Sequence, residues 1–125
     1  SGKYAAPLGR IRDSLGAATK AAVQSGYGPR YLHSTGQLHK GGPDNGVFLI
    51  LAKEHPGGPL IAGSDHSFSE LIGAQALGDF QALDGAGRRA FFLRITGKTG
   101  EVLERIRTAL ESSSEKVLYS TSKRA

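Results

Sequence analysis

The chain has 125 residues, 38% of them apolar, and carries 16 Lys and Arg against 11 Asp and Glu for a net charge of +5. That length suits one domain with a real core, and the lack of cysteine excludes disulfides and thiolate metal sites and fits a reducing, cytoplasmic setting. No apolar run approaches the ~20 residues of a membrane-crossing helix, and no signal-peptide pattern opens the chain.

The basic residues are dispersed, apart from pairs such as Arg88-Arg89 and Lys123-Arg124, with little aromatic interleaving. That pattern argues against nucleic acid and suits an anionic metabolite better. The chain starts Ser1-Gly2-Lys3 and contains no methionine, so it is expected to be a piece of a longer polypeptide. Its 18 glycines point to tight turns and close backbone approaches.

Leu8, Ile11, Leu15, Ala18, Ala22 and Val23 recur at helical spacing over 7–24, with Pro7 in the first turn and Gly26 at the exit. A glycine-rich polar stretch, 26–43, comes next. It has few side chains to anchor a core but holds Arg30, His33, Ser34, Thr35, Gln37, His39 and Lys40. Permissive backbone crowded with proton and hydrogen-bond donors is what a site for an anionic small molecule needs. A solvated linker is the plainer alternative.

Asp44-Asn45-Gly46 marks a turn into the apolar run 47–52, read as a strand buried on both faces of a parallel sheet. Residues 54–59 form a loop, and Leu60-Ile61-Ala62 suggests a short strand. Ser67 and Glu70 have capping-box spacing. Behind them Phe68, Leu71, Ile72, Ala76, Phe80 and Leu83 make one inward face of a helix ending near Asp84-Gly85. Residues 89–96 read as a second strand. Thr99 then caps a helix with Val102, Leu103, Ile106 and Leu110 inward. From Ser112 the sequence reads as a flexible polar tail.

Gly97-Lys98-Thr99 before a helix lacks the earlier glycine of a phosphate loop, since Phe92 stands at that place. Gly97 is therefore a turn residue. His33, His39, His55 and His66 have no zinc spacing, so no metal is expected. Asp79 and Gln81 read as a solvated helix face, whereas Gln75 lies nearer the apolar stripe and is a candidate to reach the site. Ser34-Thr35-Gly36 can offer hydroxyls and N–H groups to a phosphate if a helix starts there. Lys40 can donate a proton to a ring oxygen, and histidines shuttle protons near neutral pH. Neither Glu54, in a loop, nor Glu70, in a capping box, is placed as its partner base.

The block Arg30-Tyr31-Leu32-His33-Ser34-Thr35-Gly36-Gln37-Leu38-His39-Lys40-Gly41-Gly42-Pro43, followed by Gly46-Val47-Phe48-Leu49, resembles the C-terminal segment of glucose-6-phosphate isomerases. The likeness is to the bacterial type fused to transaldolase or encoded beside it. Ser67-Phe68, the run from Ala74 to Leu83 and Gly87-Arg88-Arg89 extend it over roughly residues 10–107. The resemblance implies a sugar-isomerase α/β fold, a site at a homodimer interface, and interconversion of glucose 6-phosphate and fructose 6-phosphate. In that family a lysine near the C-terminus, after a glutamine, opens the ring. Lys40 takes the lysine's place and His33 the glutamine's, leaving Gln37 as the alternative amide. The family's catalytic glutamate and main phosphate loop lie upstream of this chain.

The expectation is thus an α/β domain, 1–111, with three layers and a small, mostly parallel sheet flanked by helices. It would close a larger sugar-isomerase domain, with 112–125 as tail. Lys40, His33 and His39 would be catalytic, with Ser34, Thr35, Gln37 and Arg30 binding the sugar phosphate. No cofactor is expected. The implied partners are the sugar phosphate, the rest of the polypeptide and a second copy. A non-catalytic sugar-phosphate-binding module shares the same loop, and a basic interaction domain using the Ser/Lys tail is a third reading.

Overall fold

The computed structural model describes residues 2–28, 35–53 and 57–122, with the backbone alone at 35 and 114–122. Four helices and two strands follow in the order α1 (Ala5–Thr19), α2 (Thr35–Gly41), β1 (Val47–Lys53), α3 (Phe68–Gly85), β2 (Arg89–Ile95) and α4 (Thr99–Ser122). This is a mixed α/β architecture with a two-stranded parallel sheet and flanking helices. The chain divides into two compact units, one from its two ends (Ser1–Ser25 and Gly97–Ala125) and one from Gly26–Thr96. No helix among the described residues is long and apolar enough to cross a membrane.

In the central unit, β1 and β2 pair in register from Val47 opposite Arg89 to Lys53 opposite Ile95. The connection between them carries α3, which packs on both strands. Strand side chains alternate between faces. Phe92 meets Phe80 of α3 at 5.6 Å between ring centroids, so Ile50 and Phe48, in register with β2, share the helix-covered face. The other face is open along most of its length, with Val47 64% exposed and Phe91 60%, and is buried only at its far end, at Ile95. The strand expected to be buried on both faces is therefore half-covered, because one crossover helix shields one side.

Helix α3 begins as its sequence indicates. Ser67 Oγ accepts the Glu70 N–H at 3.2 Å, and Glu70 Oε2 accepts the Ser67 N–H at 2.6 Å. The Ser67 N–H holds the Glu70 carboxyl below the usual carboxylate range. Leu83 is buried and Ala76 and Phe80 are half-buried, but Phe68, Leu71 and Ile72 are exposed. The inward stripe thus operates only in the C-terminal half. Ahead of α3, a single antiparallel bridge joins Leu60 and Ser67 where a short strand was expected at 60–62. The helix exits through Gly87, at φ +71°, with Gly87 N–H donating to Asp84 O and Arg88 N–H to Leu83 O. Those two bonds make a Schellman turn, which favours glycine at its left-handed residue.

In the terminal unit α1 packs on α4, with Ile11 and Leu103 buried. Helix α1 stops at Thr19 rather than near Gly26. Thr19 Oγ1 donates to Leu15 O at 2.7 Å and accepts from Ala21 N–H, and Lys20 turns into the left-handed region at φ 56°. Local hydroxyl bonds of this kind compete with helix continuation. Helix α4 opens with the Lys98 carbonyl accepting from Glu101 and Val102 N–H groups. The Thr99 hydroxyl is buried with no hydrogen-bond partner, so it does not cap the helix as expected. Gly97 is the turn residue, at φ +81°. The backbone of α4 runs on to Ser122, through the segment read as tail.

Candidate functional site

The site is assembled from the end of α2 and from what α3 presents to it. His39 and Lys40 occupy the last turn of α2, where cations meet the negative end of the helix dipole. The chain then turns sharply. Gly42 N–H donates to Leu38 O at 2.8 Å, and a Cβ on Gly42 would sit 2.5 Å from that same oxygen. Only glycine fits such an approach.

Arg88 fastens this turn from the exit of α3. Its guanidinium donates to the Lys40 carbonyl at 3.3 Å and, by a shorter bond, to the Gly42 carbonyl. It also lies 3.7 Å from the Asp44 carboxylate. Arg89, next in sequence, donates to Asp44 O at 3.1 Å. Two consecutive arginines thus hold residues 40–44 by their main chain.

The side chain of Lys40 is held as well. Its Nζ lies 2.8 Å from Asp79 Oδ1, with the Lys40 side chain 29% exposed and that of Asp79 only 7%. Taking a carboxylate out of water is costly unless it is paired and hydrogen-bonded, so the lysine is held where the acid needs it. An ammonium has three donors, and the partly open side chain leaves Lys40 able to meet an incoming acceptor. Beside it in sequence, half-buried His39 tilts against Phe48 of β1, with ring centroids 5.1 Å apart.

Among the other expected site residues, Gln37 is exposed on α2. Arg30, His33 and Ser34 lie outside the described residues, as do Glu54 and His55, and Thr35 is described by its backbone only, as the first residue of α2. The structure therefore has Lys40 and His39 together at one helix end, with Gln37 exposed on the same helix. Gln75, a candidate to reach the site, is exposed. Asp79, read as a solvated position, is buried instead. The signal was present: Asp79 stands three residues after Ala76 and four before Leu83, on the stripe that packs inward. Glu70 is tied into its capping box, and among the described residues no three potential metal ligands gather.

Chemically the arrangement is an anchored ammonium backed by a buried carboxylate, on a turn whose carbonyls are fixed by guanidinium groups. Such a group can donate a proton or hydrogen bond at a defined point. No protein-family model, curated protein or solved structure matches the chain.

Proposed function

We propose that the chain is the C-terminal part of a phosphoglucose isomerase, in which Lys40 donates the proton that opens the hexose ring. The observation that carries this reading is the 2.8 Å contact of Lys40 with buried Asp79. A lysine serving only solubility extends into water, whereas this one is fixed in place yet partly open. In the ring-opening step a proton passes from Lys40 Nζ to the ring oxygen and the bond from that oxygen to C1 breaks. The anomeric hydroxyl gives its proton to water, and the open-chain aldehyde results. His39 of the same helix turn, or His33 ahead of it in sequence, assists. Arg30, Ser34, Thr35 and Gln37 serve the sugar phosphate.

The transfer of hydrogen between C1 and C2 needs a base, and Glu70 does not serve because it is locked by Ser67. The upstream polypeptide provides it, and a second copy completes the interface. The open face of the two-stranded sheet supports this, since parallel sheets are ordinarily covered on both sides. On this reading the chain belongs to a sugar-isomerase-type sheet and works in the cytoplasm, with transaldolase fused or adjacent in the parent.

A coupled isomerase assay on the 125-residue chain should show no turnover, and substantial turnover overturns the fragment reading. In the complete isomerase Lys40→Ala should lower kcat by about 10²–10⁴-fold, and a loss under about threefold removes Lys40 from the mechanism. Calorimetry with fructose 6-phosphate adds a separate outcome. Micromolar binding by the chain alone, without turnover, would favour a non-catalytic sugar-phosphate-binding module.

A further inference from the structure

We infer that Asp79 and Arg88 are positioning residues that aim Lys40 at a neutral oxygen of the sugar, while the substrate phosphate binds elsewhere. This rests on the isomerase reading. Two contacts converge on one residue: Asp79 takes the Lys40 ammonium at 2.8 Å, and Arg88 takes the Lys40 carbonyl at 3.3 Å. The first comes from the inward stripe of α3 and the second from its Schellman exit. One helix therefore fixes both ends of the same lysine.

The charges decide what Lys40 can meet. The Asp79 carboxylate lies against the Lys40 ammonium, so an approaching phosphate dianion would face both, and the two effects oppose. A ring or hydroxyl oxygen carries no charge and accepts an N–H without that penalty. Arg88 offers no open phosphate fork either: one terminal nitrogen serves the Lys40 and Gly42 carbonyls, the other lies by Asp44, and Nε is buried. A proton donor needs placement more than net charge, since a misplacement of about 1 Å can cost about 10²-fold.

The test compares two substrates in the complete isomerase: glucose 6-phosphate and a 4,5-dideoxyhexose 6-phosphate, which cannot close a five- or six-membered ring. Asp79→Asn should lower kcat on the ring-forming substrate by about 10–100-fold and leave the acyclic one within about twofold. Arg88→Lys, which replaces the planar guanidinium by a single ammonium, should show the same pattern. Inhibition by inorganic phosphate should stay within about twofold in both variants, as for a site that Lys40 does not form. Equal losses on both substrates would reduce Asp79 to a packing role and overturn the inference, as would an unchanged kcat on the ring-forming one. A phosphate inhibition constant shifted about tenfold or more would place the phosphate on Lys40 and overturn it too. Should Asp79→Asn not fold, Asp79→Glu, which keeps the charge but moves it, takes its place in the same comparison, and the same results support or overturn the inference. Lys40→Ala separates the two levels: if it too leaves kcat intact, the isomerase reading fails, and if it alone impairs ring opening, only the positioning role fails.

Discussion

At the scale of single residues, the Lys40–Asp79 pair sets a cost that any functional test must subtract. Asp79 is almost wholly withdrawn from water, so deleting Lys40 takes an ammonium away from a carboxylate that solvent scarcely reaches. Lys40→Met should destabilise the fold by about 1–3 kcal/mol, below the value for fully buried pairs because the lysine is partly open. Replacing both, with Lys40→Met and Asp79→Leu, should restore most of that loss, since apolar replacement of a whole buried pair is often neutral. Urea unfolding of the parent, the two single variants and the double variant measures the coupling, and simple additivity would mean that the contact contributes nothing. Sequence reasoning located Lys40 by its company of donors but placed Asp79 in solvent. A lone acid between Gly78 and Phe80 looks like surface, and only its spacing from Ala76 and Leu83 betrays the inward direction.

At the scale of elements, α3 organises the central unit, since it covers the sheet, supplies Asp79 and delivers Arg88. Its start depends on reciprocal bonds between Ser67 and Glu70, and Ser67 is itself buried. Ser67→Ala should cost about 1 kcal/mol, the usual value of a lost N-cap, read as a lower denaturation midpoint. An unchanged midpoint would mean the start of α3 is held by the Leu60 bridge instead. The two strands and α3 were legible because period-2 and period-3.6 patterns differ plainly, and Ser67 with Glu70 marks a start by chemistry. The burial of those patterns was less legible. Periodicity says which side chains share a face, not how far along a helix the covering element extends, and so Phe68, Leu71 and Ile72 remain exposed. The end of α1 was missed for another reason: a hydroxyl at Thr19 closes the helix where sequence logic waits for Gly26.

At the scale of the whole molecule, the terminal unit carries a charge cluster with a clear acid signature. Arg107 reaches both Glu104 and Glu111 along α4, and Ser14 of α1 donates to Glu111 Oε1 at 3.0 Å. Hydrogen bonds from Arg107 hold both carboxyls below the usual carboxylate range, while they raise the guanidinium further above its own. A folded carboxyl that titrates lower than its unfolded form contributes stability above the ordinary carboxylate range. That stability is lost as pH falls through the folded value. Acid unfolding followed by circular dichroism should therefore move to higher pH in Arg107→Met, by a fraction of a unit because the cluster is solvated. A midpoint that stays in place or moves down would dissociate the cluster from stability. None of this is readable from composition, where Arg107 is one of 16 cations.

The grip of Arg88 and Arg89 on the carbonyls of residues 40–44 has a further consequence, for how this chain tolerates change in length. Surface turns ordinarily accept an extra residue at small entropic cost. Here an added residue between Gly41 and Asp44 would slide the carbonyls out of step with two guanidinium groups whose spacing is fixed by one strand start. Lys40 would keep its contact with Asp79 but lose the fixed turn that follows it, even with every original side chain retained. The number of peptide units in that turn is as much a specification as the residues themselves.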